Sequence, residues 1–193
     1  MKILKTSIDA VDEKIIGEAI EVLANGGVVL YPTDTVYGLG VNIFDNTAVK
    51  RVFEIKQRSL LKPLSILVGD VEAIALVAKL SAKQKEIIKN YLPGPYTFIL
   101  KKNAIVPRVV TSGSSYVGVR VPDNNIARNL ASIFPITTTS ANISDDEVLS
   151  TPDEILEQLD CDVDLVIDVG RLKSKRPSSI IDLSDNDIKV IRR

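Results

Sequence analysis

Short β-branched runs alternate with segments of helical periodicity along the whole chain, and this alternation limits the fold more than any other feature of the sequence. Strands separated by helix-length segments assemble into one layered sheet with helices on its faces. Strands are expected at Ile3–Lys5, Val28–Tyr31, Leu64–Val68, Thr97–Leu100, Val117–Val121, Ile136–Thr139, Leu165–Asp168, Ser179–Leu183 and Ile188–Ile191. The clearest helix is Val11–Ala24, in which Ile15, Ile16, Ala19, Ile20 and Leu23 share a face and Asn25-Gly26-Gly27 supplies the stop. Further helices are expected at Thr47–Ile55, Ser81–Tyr91, Asn125–Ile133 and Pro152–Leu159. Asp123-Asn124-Asn125 and Ser150-Thr151-Pro152 carry the side-chain oxygens and the proline of helix starts. With 193 residues and no repeat or linker, the expectation is one α/β domain over residues 1–193, a twisted mixed β-sheet with flanking helices.

Composition removes several chemistries. There is no histidine and one cysteine, Cys161, so serine–histidine and cysteine–histidine catalysis, an internal disulfide and a multi-thiolate metal site are all excluded. Cys161 lies between Asp160 and Asp162, which oppose a thiolate. The net charge of −1 offers no global attraction for nucleic acid, so any anion site must be local. Lys2, Lys5 and Asp9 interrupt the N-terminal apolar residues, and Ala73–Ala78 is too short to cross a bilayer; a cytoplasmic protein without a membrane span is expected.

Four polar segments stand at strand ends, where ligands of open α/β sheets usually sit. Tyr31-Pro32-Thr33-Asp34-Thr35-Val36-Tyr37-Gly38-Leu39-Gly40 could wrap a small polar ligand with hydroxyls, a carboxylate and flexible glycines, although turn residues alone explain it equally. Lys56-Gln57-Arg58, followed by Lys62-Pro63-Leu64, reads either as a dipole-matched helix end or as a polyphosphate clamp. Thr111-Ser112-Gly113-Ser114-Ser115-Tyr116-Val117-Gly118-Val119-Arg120-Val121-Pro122 sets Arg120 within an apolar strand, where an inward-facing guanidinium demands an anionic partner. Gly113 and Gly118 are not followed by the lysine of a P-loop, and Gly38 and Gly40 lack the third glycine of a dinucleotide fingerprint. Ile136-Thr137-Thr138-Thr139-Ser140-Ala141-Asn142 ends a strand in a row of hydroxyls suited to phosphate, ribose or an amino acid.

Together with Pro177-Ser178-Ser179-Ile180-Ile181-Asp182 and Val190-Ile191-Arg192, these segments resemble, in order, the YrdC-like family of threonylcarbamoyl-AMP synthases. The chain stops just after the last motif and so resembles the short single-domain form. The resemblance implies a concave cationic ligand pocket. It also implies condensation of L-threonine, bicarbonate and ATP into threonylcarbamoyl-adenylate and pyrophosphate, for a downstream complex that modifies tRNA. Thr35, Arg120, Thr138 and Ser178 would contact L-threonine; Lys56, Arg58, Lys62, Ser140, Asn142 and Arg192 would line the ATP site, with Lys56 and Arg58 catalytic. Magnesium would ride on the triphosphate, with no dedicated protein metal site. Double-stranded RNA or tRNA is the alternative partner that the resemblance suggests, in a module without catalysis. Three departures stand out: Leu67 where many relatives have histidine, Ser144-Asp145 for the usual Ser-Gly, and Ser178-Ser179-Ile180 for Ser-Thr-Ile.

Overall fold

A computed structural model describes residues 1–9, 12–185 and 188–192. In chain order the elements are β1 (Lys2–Lys5), α1 (Glu13–Ala24), β2 (Val29–Tyr31), β3 (Gly38–Gly40), α2 (Asn46–Ile55), β4 (Ser65–Leu67), α3 (Ile74–Val77), α4 (Ala82–Lys89), β5 (Tyr96–Lys101), β6 (Tyr116–Arg120), α5 (Asn125–Leu130), β7 (Ile136–Ser140), α6 (Pro152–Leu159), β8 (Leu165–Asp168), β9 (Ser179–Asp182) and β10 (Lys189–Arg192). The ten strands form one mixed sheet in the order β1-β8-β2-β3-β7-β4-β6-β5-β9-β10. Four pairs are parallel (β1 with β8, β8 with β2, β4 with β6, β5 with β9) and the other five are antiparallel.

Local chemistry sets the helix ends. The Asp12 carboxylate accepts from the Lys14 and Ile15 amides to start α1, and Gly26 takes a positive φ of 78° just past its end. The expected start at Val11 lies outside the described residues. Asn124 caps α5 through the Ala127 amide, and Thr151 with Glu154 forms a capping box ahead of Pro152 in α6.

Successive strand residues point to opposite faces, so the sheet builds two cores. Leu30, Leu39, Ile66, Phe98 and Val119 pack with α2, α3, α4 and α6 on one side. Val29, Tyr31, Leu67, Ile136, Leu165 and Ile167 pack with Ile16, Ala19 and Leu23 of α1 and Ile126, Ala127 and Leu130 of α5 on the other.

Two elements differ from expectation. The apolar piece Ile74–Val77 is a single helical turn, too short to show a period. Gly38-Leu39-Gly40, expected as a flexible wrap, is instead strand β3, paired with β2 and β7. Its glycines serve packing: the Tyr31 ring lies across them, and a Cβ on Gly40 would stand 2.7 Å from Tyr31 Cε1 and 3.2 Å from Ile136 Cδ1. Gly40→Ala should therefore destabilise the fold by about 1–3 kcal/mol through overpacking. Gly17, exposed within α1 with nothing inside 4 Å of where a Cβ would stand, should give the opposite sign: Gly17→Ala should add roughly 0.5–1 kcal/mol. Urea unfolding of both variants checks the pair of signs.

Candidate active site

The α1/α5 face changes character partway across the sheet. Leu67 pairs in register with Ile136 and Arg120, and one row further along Ser65 pairs with Thr138 and Gly118. Residues paired in register face the same side, so this row of small and hydroxyl-bearing side chains continues the surface on which Leu67 and Ile136 form core. Ile99 extends the row beside Gly118. A Cβ on Gly118 would come within 2.6 Å of Ser65 Oγ, so only glycine leaves the floor this low.

Above the row lies a cavity of about 610 Å³, and no residue that lines it belongs to a helix. The site thus sits on the open face of the sheet, not only at strand ends, because the strand positions that would anchor a covering helix carry hydroxyls. Arg58, Lys62, Arg120, Thr138, Ser140, Ser178 and Arg192 all line it, from segments far apart in sequence. Thr35, Lys56 and Asn142 lie one layer behind the lining residues and are buried. Thr33, from the polar segment after β2, joins the lining, and so do Ser65 and Thr97, which nothing in the sequence marks; each of these two is one hydroxyl in an otherwise apolar run, visible only once register is known. Leu67, where the resemblance leads one to expect histidine, is fully buried in the α1/α5 core and does not line the cavity.

Hydrogen bonds fix these side chains. The anionic partner of Arg120 is Asp34, which accepts from Nη2; both side chains are nearly buried. Burial depresses the Arg120 guanidinium pKa, and Asp34 offsets part of that. Arg58 donates from Nε to Lys62 O at 3.0 Å and from Nη2 to Pro63 O at 2.9 Å, bracing the turn that carries Lys62. Ser178 Oγ meets Thr97 Oγ1 at 2.8 Å, and Arg192 Nη2 donates to Ser178 O at 2.7 Å. Thr35 Oγ1 lies 3.0 Å from Thr33 Oγ1, whose hydroxyl in turn donates to Val36 O. Ser140 Oγ donates to Asn142 Oδ1 at 2.6 Å.

Lys56 is the least expected of these groups. It is 1% exposed, and its Nζ donates to Ser140 O, Asn142 O and Asn142 Oδ1 at 2.5, 2.6 and 3.2 Å, tying the end of β7 to the end of α2. Three acceptors match the three N–H bonds of an ammonium. Burial, with Arg58 adding repulsion, nevertheless pushes Lys56 down to about 7.

The cavity therefore offers four cationic side chains and a set of hydroxyls, and among its described lining residues there is no carboxylate. Such a lining suits a polyanion together with a small polar molecule. No group of three or more Cys, Asp or Glu among the described residues could hold a metal ion, and no described helix is long and apolar enough to cross a membrane.

Comparison with known proteins bears on this geometry. The Sua5/YciO/YrdC family model, described as "Telomere recombination", matches residues 21–193. A Methanocaldococcus jannaschii protein provisionally named threonylcarbamoyl-AMP synthase is 45% identical over 170 residues, 88% of this chain and 81% of its own length. A Pyrococcus abyssi threonylcarbamoyl-AMP synthase is 36% identical over 188 residues, 96% of this chain and 55% of its own. The structure of Pyrococcus abyssi Sua5 complexed with L-threonine superposes with a TM-score of 0.92 at 35% identity, covering 100% of this chain and 57% of that one. Escherichia coli YciO superposes with a TM-score of 0.91 at 33% identity, covering 100% of this chain and 96% of its own. The chain thus spans a little over half the length of the Pyrococcus abyssi protein in each of these two comparisons.

The buried Lys56 generates a pH dependence. Its folded pKa lies below its ordinary value of 10.5, so between about 7 and 10.5 the unfolded chain holds more protons and this site's contribution to stability rises with pH; below about 7 the full cost is present. Relative to Lys56→Met, which cannot titrate, the native protein should gain stability between pH 7 and pH 9, by up to about 1.4 kcal/mol per pH unit. Urea unfolding at the two pH values measures the difference, and parallel behaviour of the two proteins would contradict it.

Proposed function

The chain belongs to the Sua5/YciO/YrdC family, and from that premise we propose that it is a cytoplasmic threonylcarbamoyl-AMP synthase, which joins L-threonine, bicarbonate or CO₂ and ATP. The observation that carries the reading is the cavity in which Arg58, Lys62, Arg120 and Arg192 converge over a floor of hydroxyls.

The chemistry needs no nucleophile from the protein, which suits a chain without histidine. The threonine amine adds to CO₂ and loses a proton, giving an N-carboxylate. One oxygen of that carboxylate attacks the α-phosphorus of ATP, and the bond to the β-phosphate oxygen breaks, so that pyrophosphate leaves with the electron pair. The protein's part is to hold two ligands in contact and to stabilise charge on the departing group.

Arg120, Thr138 and Ser178, with Thr35 behind them, take L-threonine in this reading. The Arg120 guanidinium, kept by Asp34, meets the carboxylate. Arg58, Lys62, Ser140 and Arg192 face the nucleotide, while Lys56 and Asn142 hold the β7 end that presents Ser140. Magnesium bound to triphosphate oxygens and water fits a lining of hydroxyls and cations, and when bound it neutralises phosphate charge. The adenylate then passes to the complex that completes the tRNA modification.

Pyrophosphate release should require both L-threonine and bicarbonate. Equal release without threonine would make the protein a simple ATPase and end this reading. Serine should be the nearest competitor, since one methyl group is worth about 1–3 kcal/mol in an apolar subsite. Arg58→Ala should lower kcat/KM at least about a hundredfold, roughly 3 kcal/mol, and Arg58→Lys should recover only part, because a point charge cannot replace the planar fork. Undiminished activity in Arg58→Ala would reduce this arginine to the brace of the 59–63 turn.

A further inference from the structure

Among the described residues one carboxylate reaches the phosphate-facing cations, and the chemistry above does not use it. Asp145, in the loop after β7, accepts from Lys62 Nζ at 2.6 Å. The loop is pinned on both sides of it. The Ser144 amide donates to Lys56 O at 2.8 Å and Ser144 Oγ accepts from Arg58 Nη1 at 3.4 Å. Asn142 Nδ2 donates to Asp146 O at 2.9 Å. Asp145 itself adopts a φ of 74°, a left-handed conformation that disfavours a side chain. Lys62, then Arg58 and Lys56, hold its carboxyl below the ordinary aspartate range. The contact is exposed, with 49% of the Lys62 side chain and 78% of the Asp145 side chain accessible, so water screens it and a stronger anion can displace it.

We propose that Asp145 tunes the affinity of the nucleotide site, as a built-in competitor that a polyphosphate must displace from Lys62. It weakens the grip on both ATP and pyrophosphate, and it reclaims Lys62 as pyrophosphate departs. Product release is thereby favoured at some cost in ATP affinity. The inference rests on the reading of the cavity as a polyphosphate site.

The test is calorimetric titration of inorganic pyrophosphate and of ATP, each with and without Mg²⁺, into the native protein, Asp145→Asn and Asp145→Gly. Asparagine removes the charge and tolerates the left-handed backbone; glycine also removes the side chain. Both variants should bind pyrophosphate and ATP about three- to tenfold more tightly at low salt, with the gain shrinking at high salt. In the Lys62→Ala background the same substitutions should gain much less, since the competed group is gone. Unchanged affinity in both variants overturns the proposal while leaving the nucleotide site intact. Weaker binding of magnesium-loaded ATP in Asp145→Asn also overturns it, because the carboxylate would then be a metal ligand. If the native protein binds neither pyrophosphate nor ATP, the polyphosphate reading falls and the competitor with it.

Discussion

The helices on one face of the sheet cover only part of it, and the rest of the architecture answers to that mismatch. α1 and α5 are the helices packed on the Tyr31–Leu67–Ile136 side, and no residue of either lines the cavity that lies further along β4 and β7. Beyond Leu67 and Ile136 the same face must meet solvent or ligand. The strands respond within their own alternation: β7 runs Ile136, Thr138, Ser140 along that face, and β4 runs from Leu67 to Ser65. An apolar side chain at those positions would be exposed without a partner, whereas hydroxyls lose nothing to water and gain a ligand.

Arg120 and Asp34 stand at the border between the two regimes. An ion pair this deeply buried is poor stabilisation, since desolvating both charges consumes most of what their attraction returns. Asp34 Oδ2 and Arg120 Nε have no hydrogen-bond partner among the described residues, so the pair falls short of a bidentate fork. Such a pair makes sense where a fixed, partly desolvated guanidinium is needed beside a polar floor. Tyr31 belongs to the same border: burial pushes its phenol up to about 12, and its ring fills the space that Gly38 and Gly40 leave above β3.

Much of this was readable from the residues alone. The α1 face, its stop at Asn25-Gly26-Gly27 and the Ser150-Thr151-Pro152 start of α6 follow from period and cap chemistry, which are local. The demand of Arg120 for an anion is also legible, because an arginine in an apolar strand admits few solutions. What escaped was non-local. Gly38-Leu39-Gly40 reads as a flexible turn until the Tyr31 ring is placed across it. Ser65 and Thr97 are single hydroxyls in apolar runs, and only the pairing of β4 with β6 and β7, and the contact of Thr97 with Ser178, brings them to the floor. Lys56 and Arg58 are two residues apart and look equivalent in sequence; burial makes one a strut under β7 and leaves the other on the cavity wall.

Arg192 reaches the cavity from β10, the outermost strand of the sheet, whose four residues are all exposed and whose register with β9 shifts between Val190 and Arg192. Such a strand detaches at a far smaller free energy than the strands buried at the centre, because its departure uncovers almost no apolar core. One wall of the binding cavity and the fold as a whole therefore belong to different cooperative units. Amide exchange on β10 can run fast while β2 and β7 remain protected, and warming erodes ligand affinity well before it erodes the globule.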